Sequence, residues 1–280
     1  LAHYLNPVSN YFGRVYLFNH FYTKSMNIYQ LIKLNRFIKS PIIRNMGVWL
    51  LHVLNKRYMV VFFDPVLGCN LRCKMCYFSN EVKRKEMKGN FNPEDLPRVA
   101  EVIFKQALKL QIGCGAEPTL YKHNVEIISL AKQFKIPYIS FTTNANLLTK
   151  EEIFRLLEAG LNEFTISLHG VEKSTYENLM QQASYDKFIE VMQLLTDAKK
   201  QYPHFKLRVN YTVNELNLDE LNHFFDVYGS FAIDILQVRP LQDIGGVITH
   251  IEKQQEFNHQ FNKITAILRD ICKSRNITYI

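Results

Sequence analysis

Between residues 58 and 240 the sequence alternates six short runs of β-branched and aromatic residues with longer amphipathic stretches, and this rhythm narrows the choice of fold. The runs are Tyr58 to Phe63, Leu110 to Ile112, Tyr138 to Phe141, Glu163 to Leu168, Leu207 to Val213 and Ile233 to Val238. Helical periodicity fills the gaps at about 94–109, 123–134, 149–158, 184–200 and 218–226, with one more stretch at 250–272. Asn92-Pro93-Glu94-Asp95 supplies an N-cap, a first-turn proline and two acids, and Thr149-Lys150-Glu151-Glu152 is a capping box. Parallel strands must be joined by crossovers, and strand, helix, strand repeats provide them. The expectation is an α/β fold built on a parallel sheet, closed as a barrel or open and doubly wound. In either, chemistry gathers at the C-terminal ends of the strands.

Charge divides the 280 residues in two. Eight basic side chains (Arg14, Lys24, Lys33, Arg36, Lys39, Arg44, Lys56, Arg57) and no acidic one precede Tyr58, and the first carboxylate is Asp64. The other 26 basic and 26 acidic residues cancel, so the net +8 belongs to residues 1–57. Apolar residues recur there at helical spacing from Asn27 to Asn55, interrupted by Pro41, which predicts two short basic helices. Residues 1–57 therefore read as a basic helical segment and 58–280 as the α/β body. With 47% hydrophobic residues the body can bury a core, which excludes general disorder. No apolar run reaches the roughly 20 residues of a membrane span. The chain starts with Leu and ends on Ile277-Thr278-Tyr279-Ile280, a strand in progress, as a fragment would.

Three of the five cysteines stand together as Cys69-Asn70-Leu71-Arg72-Cys73-Lys74-Met75-Cys76, directly after the first strand; Cys114 and Cys272 stand alone. So lopsided a distribution does not make a disulfide framework. Thiolates at i, i+4 and i+7 of one loop can converge on a soft metal centre and leave one coordination position open. That suits a catalytic metal or a cluster with an open iron. The alternatives are a structural zinc knot completed by Cys114 or a histidine, and plain buried cysteines. Cys114 and Cys272 are each expected to be buried.

The loop resembles the C-x3-C-x2-C motif of the radical S-adenosylmethionine (radical SAM) enzymes, in which three cysteines hold a [4Fe-4S] cluster and S-adenosyl-L-methionine takes the fourth iron. Cys69, Cys73 and Cys76 match that motif, with Met75 before the third cysteine and Tyr77-Phe78 after it. Gly115-Ala116-Glu117-Pro118 is similar to the family's Gly-Gly-Glu-Pro segment, which receives the methionyl amino group. Thr142-Thr143-Asn144-Ala145 is similar to the family's third strand end, and Ser167-Leu168-His169-Gly170 with Thr175-Tyr176-Glu177 to the ribose-contacting fourth. Arg208 to Asn214 and Gln237 to Pro240 stand where the fifth and sixth ends belong. Many relatives carry an arginine after Thr-Tyr-Glu that pairs with the cofactor carboxylate. Leu179 to Ser184 contains none, and Arg208 is expected to supply the charge.

The resemblance implies a partial parallel (β/α)6 barrel, with Gly115, Ala116, Glu117, Pro118, Asn144, Ser167 and Arg208 binding S-adenosyl-L-methionine. It implies reductive cleavage to a 5'-deoxyadenosyl radical that abstracts hydrogen from a substrate, an oxidoreductase activity fed by an electron donor such as flavodoxin or ferredoxin. No catalytic residue of the chain itself is singled out. A peptide or protein is the first substrate expected, as for SPASM and twitch members; methyl transfer to, or isomerisation of, a small molecule is the alternative. A non-catalytic iron-sulfur or zinc protein is a third reading. Cys272 is the sole cysteine after Cys114, so no complete auxiliary cluster site is expected in these residues. The expected location is cytoplasmic, with a peripheral contact at the inner membrane face through residues 1–57, where Trp49, Leu50 and Leu51 lie between Arg44 and Lys56-Arg57. Nucleic acid is not an expected partner.

Overall fold

A computed structural model describes residues 40–241 and 254–280. Seven strands, β1 (Met59–Phe63), β2 (Ala107–Ile112), β3 (Tyr138–Thr143), β4 (Glu163–Leu168), β5 (Lys206–Val213), β6 (Ile235–Pro240) and β7 (Thr278–Tyr279), form one sheet in sequence order. Every neighbouring pair is parallel. Among the described residues the order runs from β1 to β7 without closing on itself. The strand in progress at the end of the chain is β7, a seventh strand beside the six expected.

The helices are α1 (Pro41–Val53), α2 (Glu81–Glu86), α3 (Leu96–Ile103), α4 (Asn124–Gln133), α5 (Lys150–Glu158), α6 (Lys173–Leu179), α7 (Tyr185–Gln201), α8 (Phe224–Tyr228) and α9 (Gln254–Ser274). Of the two basic helices expected before residue 58, α1 is the second, and the first lies outside the described residues. Helix α3 is shorter than the predicted 94–109, because the chain leaves it through a turn at Phe104–Gln106 and pairs as β2 from Ala107. Its last expected residues, Ala107-Leu108-Lys109, are all buried in that strand. Helix α6, carrying Thr175-Tyr176-Glu177, was not expected as an element.

The sheet has two unlike faces. Side chains paired across parallel strands share a face, and successive residues alternate. Ile139, Phe141, Phe164, Ile166, Leu168, Leu207, Val209 and Tyr211 are buried on the outer face beneath the helices. Phe141 meets Phe164 edge to face, with centroids 6.1 Å apart. The inner face of β3 to β5 carries Tyr138, Ser140 and Thr142, then Glu163, Thr165 and Ser167, then Arg208, Asn210 and Thr212. The register confirms this face through Ser140↔Glu163, Thr142↔Thr165, Ser167↔Asn210 and Thr212↔Arg239. A filled parallel barrel places branched apolar residues at such positions; this lumen is polar.

Low in the lumen the polar groups are gathered by Glu163. Its Oε1 lies 3.8 Å from Lys109 Nζ and 3.7 Å from Arg208 Nη1. It accepts from Thr165 Oγ1 at 2.9 Å and, through Oε2, from Tyr138 Oη at 2.7 Å. The Lys109 ammonium also stands 5.3 Å from the Tyr138 ring centroid. Burial pulls the Lys109 amine down to about 8, against the opposing pull of Glu163. Because β2 and β4 are separated by β3, the Lys109 to Glu163 contact spans the concave side of a curled sheet.

Helix α1 attaches under this floor. Ser40 caps it, Pro41 opens it, and it contains no acidic residue in its first turn. His52 Nδ1 is 2.9 Å from Tyr58 Oη, which donates to Gln106 Oε1 at 2.9 Å. Arg57 donates to the carbonyls of Phe104 at 2.7 Å and Ala107 at 3.0 Å, and to that of Phe134. These carbonyls lie at the N-terminal ends of the strands, opposite the cysteine loop.

Removing the hub carboxylate tests this account of the floor. Glu163→Gln removes the negative charge that faces buried Lys109 and half-buried Arg208, and breaking a buried pair costs about 3–5 kcal/mol. A urea titration should show the midpoint falling accordingly, and a loss below about 1 kcal/mol would contradict it.

Candidate functional site

The cysteine loop lies over the C-terminal ends of the strands, held by backbone bonds at both flanks. Arg72 N donates to Gln181 O and Lys74 N to Leu179 O, each at 2.9 Å, and Glu117 N donates to Gly68 O at 2.9 Å. The stretch that lacks the expected arginine thus supplies carbonyls that fasten the loop. Leu71 and Phe78 are buried and anchor it from within. Cys69, Cys73 and Cys76 line one cavity of about 310 Å³. Among the described residues no three Cys, His, Asp or Glu side chains converge on a point suited to a single metal ion; the three thiols share a wall. Burial pushes the Cys69 thiol up to about 11 and raises Cys73 and Cys76 as well, and Cys73 is raised further by its two neighbours. Three thiols that oppose one another's ionisation suit a shared cationic centre.

Glu117 ties β2 to β3. It is buried, and burial raises its carboxyl against four hydrogen bonds. Oε1 accepts from Thr119 N at 3.2 Å, Thr119 Oγ1 at 2.7 Å and Thr143 Oγ1 at 2.7 Å, while Oε2 accepts from Asn144 N at 2.8 Å. Oε1 thus holds three donors and Oε2 one, while a carboxylate oxygen has at least two acceptor directions. Oε2, on a residue that lines the cavity, keeps room for one more donor. Asn144 carries the tie into the loop, with Nδ2 donating to Asn70 Oδ1 at 2.8 Å and lying 3.8 Å from Cys69 Sγ. Gly115, Ala116, Ser167 and Asn144 all line the cavity; Pro118 is buried behind it.

Two expectations need correcting. Arg208 does not reach the cavity: its guanidinium is committed to Glu163, to Asn210 Oδ1 at 2.9 Å and to Gln237. It stands two residues before Asn210, the first residue of β5 to line the cavity, and at 3.3 Å per residue that is about 7 Å lower in the lumen. Arg239 is the one lysine or arginine lining the cavity among the described residues. Cys114 is exposed and lines the cavity, while Cys272 is buried as expected. Cys114 is turned outward because its backbone N–H is held by Asp64 Oδ1 at 2.7 Å, with Gly115 N on Oδ2 at 3.1 Å.

Several residues belong to the site beyond the seven expected to bind the cofactor. Asp64 orients the Gly-Cys-Gly turn, and its place directly after the first strand was the only signal. Thr142, Asn210 and Thr212 belong to the wall through strand alternation. His169 also lines it. Burial, with the charge of Arg239, pulls its imidazole down to about 4, and its ring bonds the Thr212 backbone. Its Nδ1 is buried with no partner.

The two glycines of the turn differ in what they tolerate. Gly113 has φ +78°, and a Cβ there would strike the Thr142 carbonyl and come within 2.6 Å of Pro118 Cγ. At Gly115 a Cβ would meet the hydroxyl end of Tyr77, which donates to Gly115 O at 2.6 Å and can swing away. Gly113→Ala should therefore cost about 1–3 kcal/mol more than Gly115→Ala, as read by denaturant midpoints; equal costs would refute the distinction.

The comparisons with known proteins agree with this geometry. The "Probable GTP 3',8-cyclase" of Saccharolobus solfataricus is 28% identical over 178 residues, covering 64% of this chain and 55% of that protein. The protein of the same name from Sulfurisphaera tokodaii is 26% identical over 203 residues, covering 72% and 61%. The chain thus spans little more than half the length of these curated relatives. Among solved structures, Streptococcus suis SuiB bound to S-adenosylmethionine superposes with TM-score 0.64 at 20% identity, covering 91% of this chain and 56% of SuiB. The enzyme anSMEcpe with bound AdoMet gives 0.60 at 17%, covering 79% and 62%. At these identities the structures speak for the fold, a partial parallel barrel. The model of the Radical SAM superfamily matches residues 64–226, more than half of the sequence. The span it matches holds the cysteine loop and the ends of β2 to β5, and the chain belongs to the radical SAM superfamily, whose enzymes use a [4Fe-4S] cluster and S-adenosylmethionine.

Proposed function

We propose that Cys69, Cys73 and Cys76 hold the [4Fe-4S] cluster, and that the cavity they line binds S-adenosyl-L-methionine for reductive cleavage and hydrogen abstraction from a polar substrate. The carrying observation is that the three thiols share one 310 Å³ cavity with Glu117, Asn144 and Ser167. Bound there, the cluster, once reduced by an electron donor, would supply one electron to the cofactor's sulfonium C–S bond and thereby a radical able to abstract hydrogen.

The protein's part is placement. Glu117, fixed by Thr119, Thr143 and Asn144, offers Oε2 to the methionyl amino group. Gly115 and Ala116 let the backbone approach closely, and Asn144 holds the loop against β3. Ser167 and Asn210, paired in register, present a hydroxyl and an amide to the ribose. His169, kept neutral, adds no charge beside Arg239. Leu71 and Phe78 close the floor of the loop against water.

Two substrate classes have support. A lumen lined by Thr142, Asn210, Thr212 and Arg239 suits a small polar molecule, and the relatives at 26–28% identity bear the name of a cyclase of GTP. The peptide reading has a fold likeness to SuiB bound to its precursor peptide SuiA, TM-score 0.62 at 19% identity. We favour the small polar molecule, because the lumen wall belongs to this chain. A small reduced protein such as flavodoxin or ferredoxin is the electron donor this chemistry calls for.

Anaerobic reconstitution tests the assignment. About four irons per chain are expected, with 5'-deoxyadenosine formed under reductant and neither result in Cys73→Ala. One zinc per chain with no iron would instead make the loop a structural binding module.

A further inference from the structure

Helix α1 carries an apolar surface that the body does not use. Ile42, Ile43, Met46, Trp49, Leu50 and Val53 are all at least half exposed, Ile42 at 70% and Trp49 at 66%. At 100° per residue they fall within an arc of about 120°. Leu51, on the opposite side, is buried, and Arg44, Gly47 and Val48 beside it are half-buried. The helix therefore lies on the barrel by one side and turns its apolar arc away from it. Most amphipathic helices of a globular protein do the reverse.

Charge identifies the occupant. Residues 1–57 hold eight lysines and arginines and no carboxylate, and α1 itself has no acidic residue. An arc of leucine, isoleucine and tryptophan within a purely cationic segment has the chemistry of a bilayer surface bearing anionic headgroups. A second copy fits less well. A helix of 13 residues is about 20 Å long and 10 Å wide, so its face offers roughly 200 Å², far below the roughly 800 Å² per partner of a stable dimer.

We propose that α1 inserts its apolar arc into the interface of a membrane containing anionic lipid and so docks the protein peripherally. Arg57 and the Tyr58 contacts fix α1 at the N-terminal ends of β1 and β2, whereas the cysteine loop and cavity lie at the C-terminal ends. Docked in this way, the cavity mouth points away from the bilayer. The proposal does not depend on the cofactor assignment.

The sequence contains its own reporter, because Trp49 is its single tryptophan. Vesicles of phosphatidylcholine with phosphatidylglycerol should shift Trp49 emission to the blue and pellet the protein. Vesicles of phosphatidylcholine alone should do neither, and about 0.5 M salt should release the bound protein. The double variant Ile43→Glu with Leu50→Glu changes only exposed positions. It should keep the circular dichroism spectrum of the parent and bind at least about tenfold more weakly. Unchanged emission with anionic vesicles overturns the proposal, as does equal binding to both kinds of vesicle. A Trp49 signal already blue-shifted without lipid, in a dimer seen by light scattering, would also overturn it in favour of a second copy. Since the parent chain alone reports binding or its absence, the test stands even if the double variant misfolds.

Discussion

A parallel sheet curled with its polar side inward stays folded only if the polar groups find one another, because each buried donor or acceptor left alone costs about 1–3 kcal/mol. Glu163 answers most of that demand at once, reached by Lys109 from β2, Tyr138 from β3, Thr165 from its own strand and Arg208 from β5. Those strands supply most of the wall above. The floor network thus holds four strands in a fixed curl, and the wall positions Ser167, Asn210 and Thr212 inherit their direction from it. Outer-face packing of phenylalanine, leucine and isoleucine provides the bulk of the hydrophobic stabilisation, yet it would serve a flat sheet equally well.

At the other end of the lumen a second carboxylate does comparable work under a different constraint. Glu117 is engaged by Thr143 and Asn144 from the end of β3 and by Thr119 in its own turn. Asn144 then reaches Asn70 and approaches Cys69. Cysteine loop, β2 end and β3 end are therefore one hydrogen-bonded unit. A shift of any one of them is felt by the thiols, and Gly113, with its left-handed backbone at the end of β2, is part of that unit.

Much of this was legible in the sequence, for physical reasons that can be named. Strand alternation in Lys-Leu-Arg-Val-Asn-Tyr-Thr-Val marks β5 outright, and the capping residues Asn92 and Thr149 mark helix starts. Cys69, Cys73 and Cys76 are local in the chain, so spacing alone brings them to one loop. Arg208 failed for a reason that spacing does not carry: its height along the strand, set by parallel register with β4, puts it beside Glu163. Arg239, two residues beyond Gln237, reaches the cavity by that same register. Helix α3 was overextended because Ala-Leu-Lys-Leu-Gln-Ile satisfies a helical and a strand pattern alike, and only pairing with β1 decides it. Cys114 looked like a small hydrophobe, and its outward turn depends on Asp64, fifty residues earlier.

Among the described residues the sheet runs from β1 to β7 without joining, and Phe62 on β1, in register with Gln111, stands at that gap 59% exposed. A closed ring fixes its bore by strand number and shear, so a new ligand can be accommodated only by rebuilding the interior. A ring left open along one side is free of that arithmetic. Phe62 belongs to neither the Glu163 floor nor the Glu117 tie, so a substitution there changes the open seam and leaves both in place. Such a scaffold can diversify its ligands at one seam while its chemistry stays fixed, a division of labour that favours evolutionary change.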